Sequence, residues 1–157
     1  MNTELNELYT EKDSHVMNVA ENARIPGKNR VEEIRKFANI SGIKRIGIAH
    51  CVAVTKEANA LKNMLSNEFE VSIVDCKHGK IPSSAFCGPE AKGVSCNPAG
   101  QALYLAEQNT ELNISMGLCV GHDMMFNQKS KAPVTTLIVK DREHNHNPIQ
   151  TFRNTNL

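Results

Sequence analysis

Four segments of the chain carry short, nearly continuous apolar runs: Lys44–Cys51 (KRIGIAHC), Phe69–Cys76 (FEVSIVDC), Leu112–Cys119 (LNISMGLC) and Val134–Val139. Short runs that are nearly all apolar are expected of strands covered on both faces. Between them the spacing becomes helical. In Arg30–Ile40 (RVEEIRKFANI), Val31, Ile34, Phe37 and Ala38 share a face, and Ser41-Gly42 ends the pattern. In Thr55–Leu65 (TKEANALKNML) the shared face is Ala58, Leu61, Met64 and Leu65. Thr55 is the expected N-cap there, with Ala58 rather than Glu at the capping-box position. Asn97-Pro98 opens a further helix, expected to run to about Asn109, because Asn caps and Pro suits the first helical position. A last helix is expected over about His122–Lys129. The N-terminal residues, up to about position 25, are weakly amphipathic through Leu5, Leu8, Tyr9, Val16, Val19 and Ala20, before Pro26-Gly27 interrupts them.

Strands alternating with helices predict an α/β fold: an open, mostly parallel sheet joined by right-handed crossovers, with helices on both faces. Four strands in the order 2-1-3-4 give a flavodoxin- or Rossmann-like sheet. The expected organisation is an N-terminal helical extension over 1–28 and a single α/β domain over 29–157 with a short polar tail from Asp141. The stretch Lys77–Ser95, with Gly79, Pro82, Gly88, Pro89 and Gly93, reads as a long irregular loop, a length usually tied to function or disorder. The turn after the first strand, His50–Val54, lacks the glycine-rich dinucleotide fingerprint, so a nucleotide cofactor is unsupported.

Composition narrows the classes of function. The 157 residues suit one domain, and 18 basic against 17 acidic side chains leave a formal net charge of +1. That balance gives no electrostatic footprint for nucleic acid or an anionic membrane. Aromatic residues make up 4% with no Trp, too few for base-stacking platforms. No apolar run approaches the roughly 20 residues that span a bilayer. The polar, acidic start MNTELNELYTEKDSH is unlike a signal peptide, so a cytoplasmic location is expected. A homo-oligomer is compatible with all of this.

A cytoplasmic location changes how the cysteines read. Cys51, Cys76, Cys87, Cys96 and Cys119 are odd in number and widely spaced, which argues against a disulfide framework. Each taken alone is most simply a small buried apolar residue. Jointly they are patterned, because Cys51, Cys76 and Cys119 each close a strand run. In the order 2-1-3 those strands are neighbours, with the switch point between 1 and 3, where open α/β sheets bind ligands. Cys96 immediately precedes the Asn97-Pro98 helix, whose N-terminus favours a thiolate. Cys87, in the loop before it, is an accessory candidate.

Soft thiolates select zinc, copper(I) or iron–sulfur clusters. The paired knuckles of structural zinc sites are absent, as is the bacterial ferredoxin run. A cubane tolerates ligands from separated elements, so a [4Fe-4S] cluster on Cys51, Cys76, Cys96 and Cys119 is expected ahead of zinc. Further polar groups gather near the same end. His122 and Asp123, after the third strand, are candidate acid–base groups or partners of a ligand, although Asp123 serves equally as a helix cap. His50 is expected to turn away from Cys51 and be satisfied by backbone. Lys77, His78 and Lys80 can stabilise a thiolate, bind an anion, or simply be solvated. His144 and His146 have metal-like spacing in a tail that reads as solvated.

The segments IGIAHC, SCNPAGQA, RVEEIRKFA and above all GLCVGHDMMFNQKSKAPVTTLIVKDREHNHNP resemble a family of uncharacterised prokaryotic proteins described as metal-binding. The resemblance covers about residues 8 to 150 and implies family cysteines at Cys51, Cys76, Cys96 and Cys119, with Cys87 less clearly a family feature. Many relatives look as if they begin with a cysteine-rich segment, whereas this chain has no cysteine before Cys51. Four functions follow as expectations: a cluster protein for electron transfer or redox sensing with a redox partner; an enzyme with an open iron, such as a desulfidase acting on a small molecule with Cys87, His122 and Asp123 as candidate catalytic groups; metal-free persulfide transfer on Cys96 or Cys119; and a zinc- or small-anion-binding module.

Overall fold

A computed structural model describes residues 7–153 and divides the chain into two compact units at the Ile43–Lys44 junction. Leu5 lies outside the described residues. In the N-terminal unit, helix α1 (Glu11–Ala23) starts at a complete capping box: Thr10 Oγ1 accepts from the Asp13 N–H, and Asp13 accepts from the Thr10 N–H. After the turn at Pro26-Gly27, Asn29 caps α2 (Arg30–Ile40) by accepting from the Glu32 N–H at 3.1 Å. Val19 and Ala23 of α1 and Ile34 and Ala38 of α2 are buried.

The second unit is the α/β fold. Strands β1 (Arg45–His50), β2 (Glu70–Asp75), β3 (Leu112–Met116) and β4 (Val134–Ile138) form one parallel sheet in the order β2-β1-β3-β4. Helix α3 (Thr55–Leu65) connects β1 to β2; the four-residue α4 (Ser84–Cys87) and α5 (Pro98–Glu107) lie between β2 and β3; α6 (His122–Lys129) connects β3 to β4, and α7 (Gln150–Arg153) follows. The β1–β2 and β2–β3 crossovers travel in opposite directions, so right-handedness puts α3 and α5 on opposite faces. Side-chain alternation agrees. Gly47 of β1 lies so close to α5 that an added Cβ would be 2.8 Å from Leu105 Cδ1. Ala49, two residues on, joins Val74, Ala102, Leu105, Leu118 and Phe126 in a buried cluster. Ile46 and Ile48 therefore face the other side, fully buried.

Several local expectations shift. Thr55 is the first residue of α3 rather than its cap. Its hydroxyl donates back to the Val52 carbonyl at 2.9 Å, closing a 3₁₀ turn, Val52–Val54, that leads into the helix. The loop after β2 is more ordered than its composition implies, since it contains α4 and an antiparallel bridge from Pro82 to Val94. The polar tail holds α7 and a turn in which the Asp141 carboxylate accepts from the Glu143 and His144 N–H groups, each at 3.0 Å. Among the described residues no helix is long and apolar enough to cross a membrane.

Candidate functional site

All five cysteines are free thiols. Cys51 and Cys76 follow β1 and β2 directly. The last ladder pair is His50 with Asp75, so Cys51 and Cys76 each follow one of these partners immediately. Ala49 and Val74 face α5, and alternation sends Cys51 and Cys76 to that same face. Cys96 sits immediately before α5. Asn97 anchors that junction: its N–H donates to the Cys76 carbonyl at 2.8 Å, its Oδ1 accepts from the Gly100 N–H at 2.9 Å, and its Nδ2 donates to the His78 carbonyl at 3.1 Å. Two strand ends and one helix start thus bring three thiols near one another, close enough for Cys76 to interact with both Cys51 and Cys96. Cys51 and Cys76 are buried and Cys96 is half-buried.

Their surroundings make the thiols unequal. Burial pushes Cys51 up. The Ala53 N–H, the Lys140 ammonium and the Cys76 thiol oppose this and together hold it below the ordinary cysteine value. Cys76 is pushed up to about 12, first by burial and further by the Cys96 and Cys51 sulfurs, against the lowering effect of the Val52 N–H. Cys51 is therefore the more acidic thiol of the pair and Cys76 the less acidic.

Cys119 is held differently from this trio. Strand β3 ends at Met116, three residues before it. Gly117, at φ +64°, turns the chain above Cys51, where a Cβ would stand 3.8 Å from Cys51 Cβ and 3.1 Å from Val54 Cγ2. Cys119 then starts the α6 region, its carbonyl accepting from the His122 and Asp123 N–H groups, while its Sγ is 3.3 Å from Arg142 Nη2. Cys87 is exposed at the end of α4.

Other candidates separate by contact. His50 is buried with Nδ1 3.0 Å from the Cys51 carbonyl, so that nitrogen carries the hydrogen and the ring is satisfied by backbone. Asp123 Oδ1 accepts from the Met124 N–H at 2.7 Å within the first turn of α6, a local role, and His122 beside it is half-buried. Lys77 is occupied with the Val94 carbonyl at 2.6 Å, and His78 packs its ring on Tyr104. His144 pairs with Asp141 at 3.2 Å, and His146 Nδ1 lies 3.2 Å from the Val139 carbonyl. The cations at the sulfurs are Lys140 and Arg142, just past β4. Sequence reading missed them because nothing local marks a lysine and an arginine in a polar tail. Gln101 was missed too. It is fully buried in α5, and its Nε2 donates to the His50 carbonyl at 3.2 Å and the Val74 carbonyl at 3.1 Å, while its Oε1 has no hydrogen-bond partner. Among the described residues, no group of three or more His, Cys, Asp and Glu side chains stands pre-arranged around one metal position.

A family model described as a protein of unknown function, DUF1847, matches residues 1–137. The chain belongs to this family. Uncharacterized protein MJ0455 of Methanocaldococcus jannaschii is 47% identical over 124 residues, covering 76% of this chain and 64% of that protein. The DUF1847 chain described here thus spans less than two thirds of that relative's length. No solved structure matches it.

Proposed function

We propose that this DUF1847 chain binds a soft metal centre through Cys51, Cys76 and Cys96 with Cys119 as fourth donor, an iron–sulfur cluster in preference to zinc. One observation carries the reading: Cys76, just past β2, interacts with Cys51, just past the adjacent strand β1, and with Cys96 at the start of α5. The donor set fits such a centre chemically. All four donors are thiols, which suit iron–sulfur clusters and other soft ions. Lys140 and Arg142 offset the negative charge that several thiolates accumulate. The trio is a row of neighbours rather than a closed cage, so ligation includes movement of Cys119 away from Arg142 and release of the Cys76 proton. When bound, a cluster supplies electron transfer to a redox partner or, with one iron open, Lewis-acid chemistry on a small molecule. Free, unpaired thiols of this kind suit the reducing cytoplasm.

Anaerobic reconstitution with iron and sulfide, followed by metal and sulfide analysis, tests the reading. Iron and sulfide bound in comparable amounts, with visible absorption, is the expected result. Colourless protein without iron overturns the cluster, and stoichiometric zinc in its place leaves the site but replaces its occupant.

A further inference from the structure

We propose that, without metal, Cys51 and Cys76 act as a redox dithiol that reduces low-molecular-weight disulfides and closes into a Cys51–Cys76 disulfide. Three observations meet here. First, each of the two residues directly follows one partner of the last ladder pair, His50 and Asp75, on adjacent parallel strands. Directly opposed residues on neighbouring strands stand about 4.8 Å apart, inside the window of about 4.4–6.8 Å between Cα atoms that a disulfide spans without backbone movement. Second, opposed positions send their side chains to the same face, and the Cys76 thiol is near enough to Cys51 to act on it as a hydrogen-bonding partner. Third, the Lys140 ammonium lies beside Cys51. Cys51 is also the more exposed of the two, at 9% against 2%. Cys51 is therefore the attacking sulfur and Cys76 the resolving one.

The steps balance. The Cys51 thiolate attacks one sulfur of the small disulfide, forming a mixed disulfide as the old S–S bond breaks and one thiolate leaves. Cys76 gives its proton to that departing thiolate and attacks Cys51 Sγ, expelling the second. Two cysteine thiols are oxidised and one external disulfide is reduced to two thiols. No metal takes part, so this activity stands apart from the proposed centre and requires the same thiols to be unligated.

The test uses full-length protein stripped of metal with a chelator, then treated with oxidised glutathione under anaerobic conditions. Peptide mapping is expected to show a Cys51–Cys76 link, two reduced glutathione molecules released per chain, and Cys87 still alkylatable or carrying only an open adduct. Cys51→Ser and Cys76→Ser each remove the link. A Cys76–Cys96 link, a glutathione adduct that persists on Cys51, or unchanged thiols each overturn the proposal. Iron and sulfide analysis of a reconstituted sample is a separate readout, so failure of the dithiol and failure of the metal centre are distinguishable.

Discussion

Two residues decide the behaviour of the thiol trio without being sulfur ligands. Lys140 lies beside Cys51 and helps hold its thiol below the ordinary value of 9.0, whereas Cys76 is held up at about 12. In metal-free protein, alkylation followed against pH should therefore modify Cys51 with a midpoint below 9.0 and leave Cys76 protected across the same range. Lys140→Met should raise that midpoint and slow Cys51 alkylation at neutral pH by about three- to tenfold, since each pKa unit is a factor of ten in thiolate. Gln101 acts on position rather than charge. Its amide joins the carbonyls of His50 and Val74 from α5 and so ties the helix that follows Cys96 to the strands that precede Cys51 and Cys76. Gln101→Met deprives two carbonyls of a buried donor, and urea unfolding should show a loss of about 1–3 kcal/mol with an unchanged slope. Its orphaned Oε1 softens the loss, because the native side chain already carries one unsatisfied buried acceptor.

Between elements, contact distance and strand-end clamps set the frame. Gly47 lets α5 settle on β1, for a Cβ there would overlap Asn113 Oδ1 and crowd Leu105. Asn113 cannot easily yield, since it is fully buried and its Oδ1 accepts from Thr110 Oγ1 at 2.8 Å. Gly47→Ala should cost about 1–3 kcal/mol by overpacking, read as a thermal midpoint lowered by several degrees. At the opposite end of the sheet, Glu111 accepts from the Lys44 and Arg45 N–H groups at 2.9 and 2.8 Å. These bonds, the Lys44 one first, hold its carboxyl below the ordinary 4.5. A depressed folded value means the contribution is complete above 4.5 and is lost as pH falls through the folded value. Glu111→Gln should thus lower the thermal midpoint at neutral pH, where the carboxylate's contribution is complete, and flatten the fall below about pH 4.5. The helices themselves were legible. Arg30–Ile40, Thr55–Leu65 and His122–Lys129 coincide with expectation, and Asn97-Pro98 caps α5 as its chemistry demands. The start of α3 was less legible, because the 3₁₀ turn before it is closed by bonds from the Thr55 hydroxyl and N–H to the Val52 carbonyl, which leave Thr55 inside the helix rather than capping it.

Over the whole molecule, topology decides which cysteines meet. With β1 between β2 and β3, and α5 returning over β1 and β2, Cys51, Cys76 and Cys96 fall on one side, while Cys119 sits beyond the Gly117 turn with Arg142. Serine substitution at Cys51, Cys76 or Cys96 should therefore reduce metal retained after reconstitution severalfold, and Cys119→Ser should reduce it less; equal losses from all four would mean that Cys119 closes fully onto the trio. The sequence by itself determined the four strands, their parallel order 2-1-3-4 and the arrival of Cys51 and Cys76 at two strand ends, because burial on both faces imprints apolar runs and chirality restricts how parallel strands connect. It also placed Cys119 as though its strand continued to it, since apolar Gly117-Leu118 extends the run although the backbone has already turned at Gly117. Only the tertiary structure decided that Lys140 and Arg142 supply the charge, that Lys77 does not, and that Gln101 spans two strand ends from a helix. Those contacts join residues far apart along the chain, and no local pattern of polarity records which distant partner a solvent-compatible side chain will find.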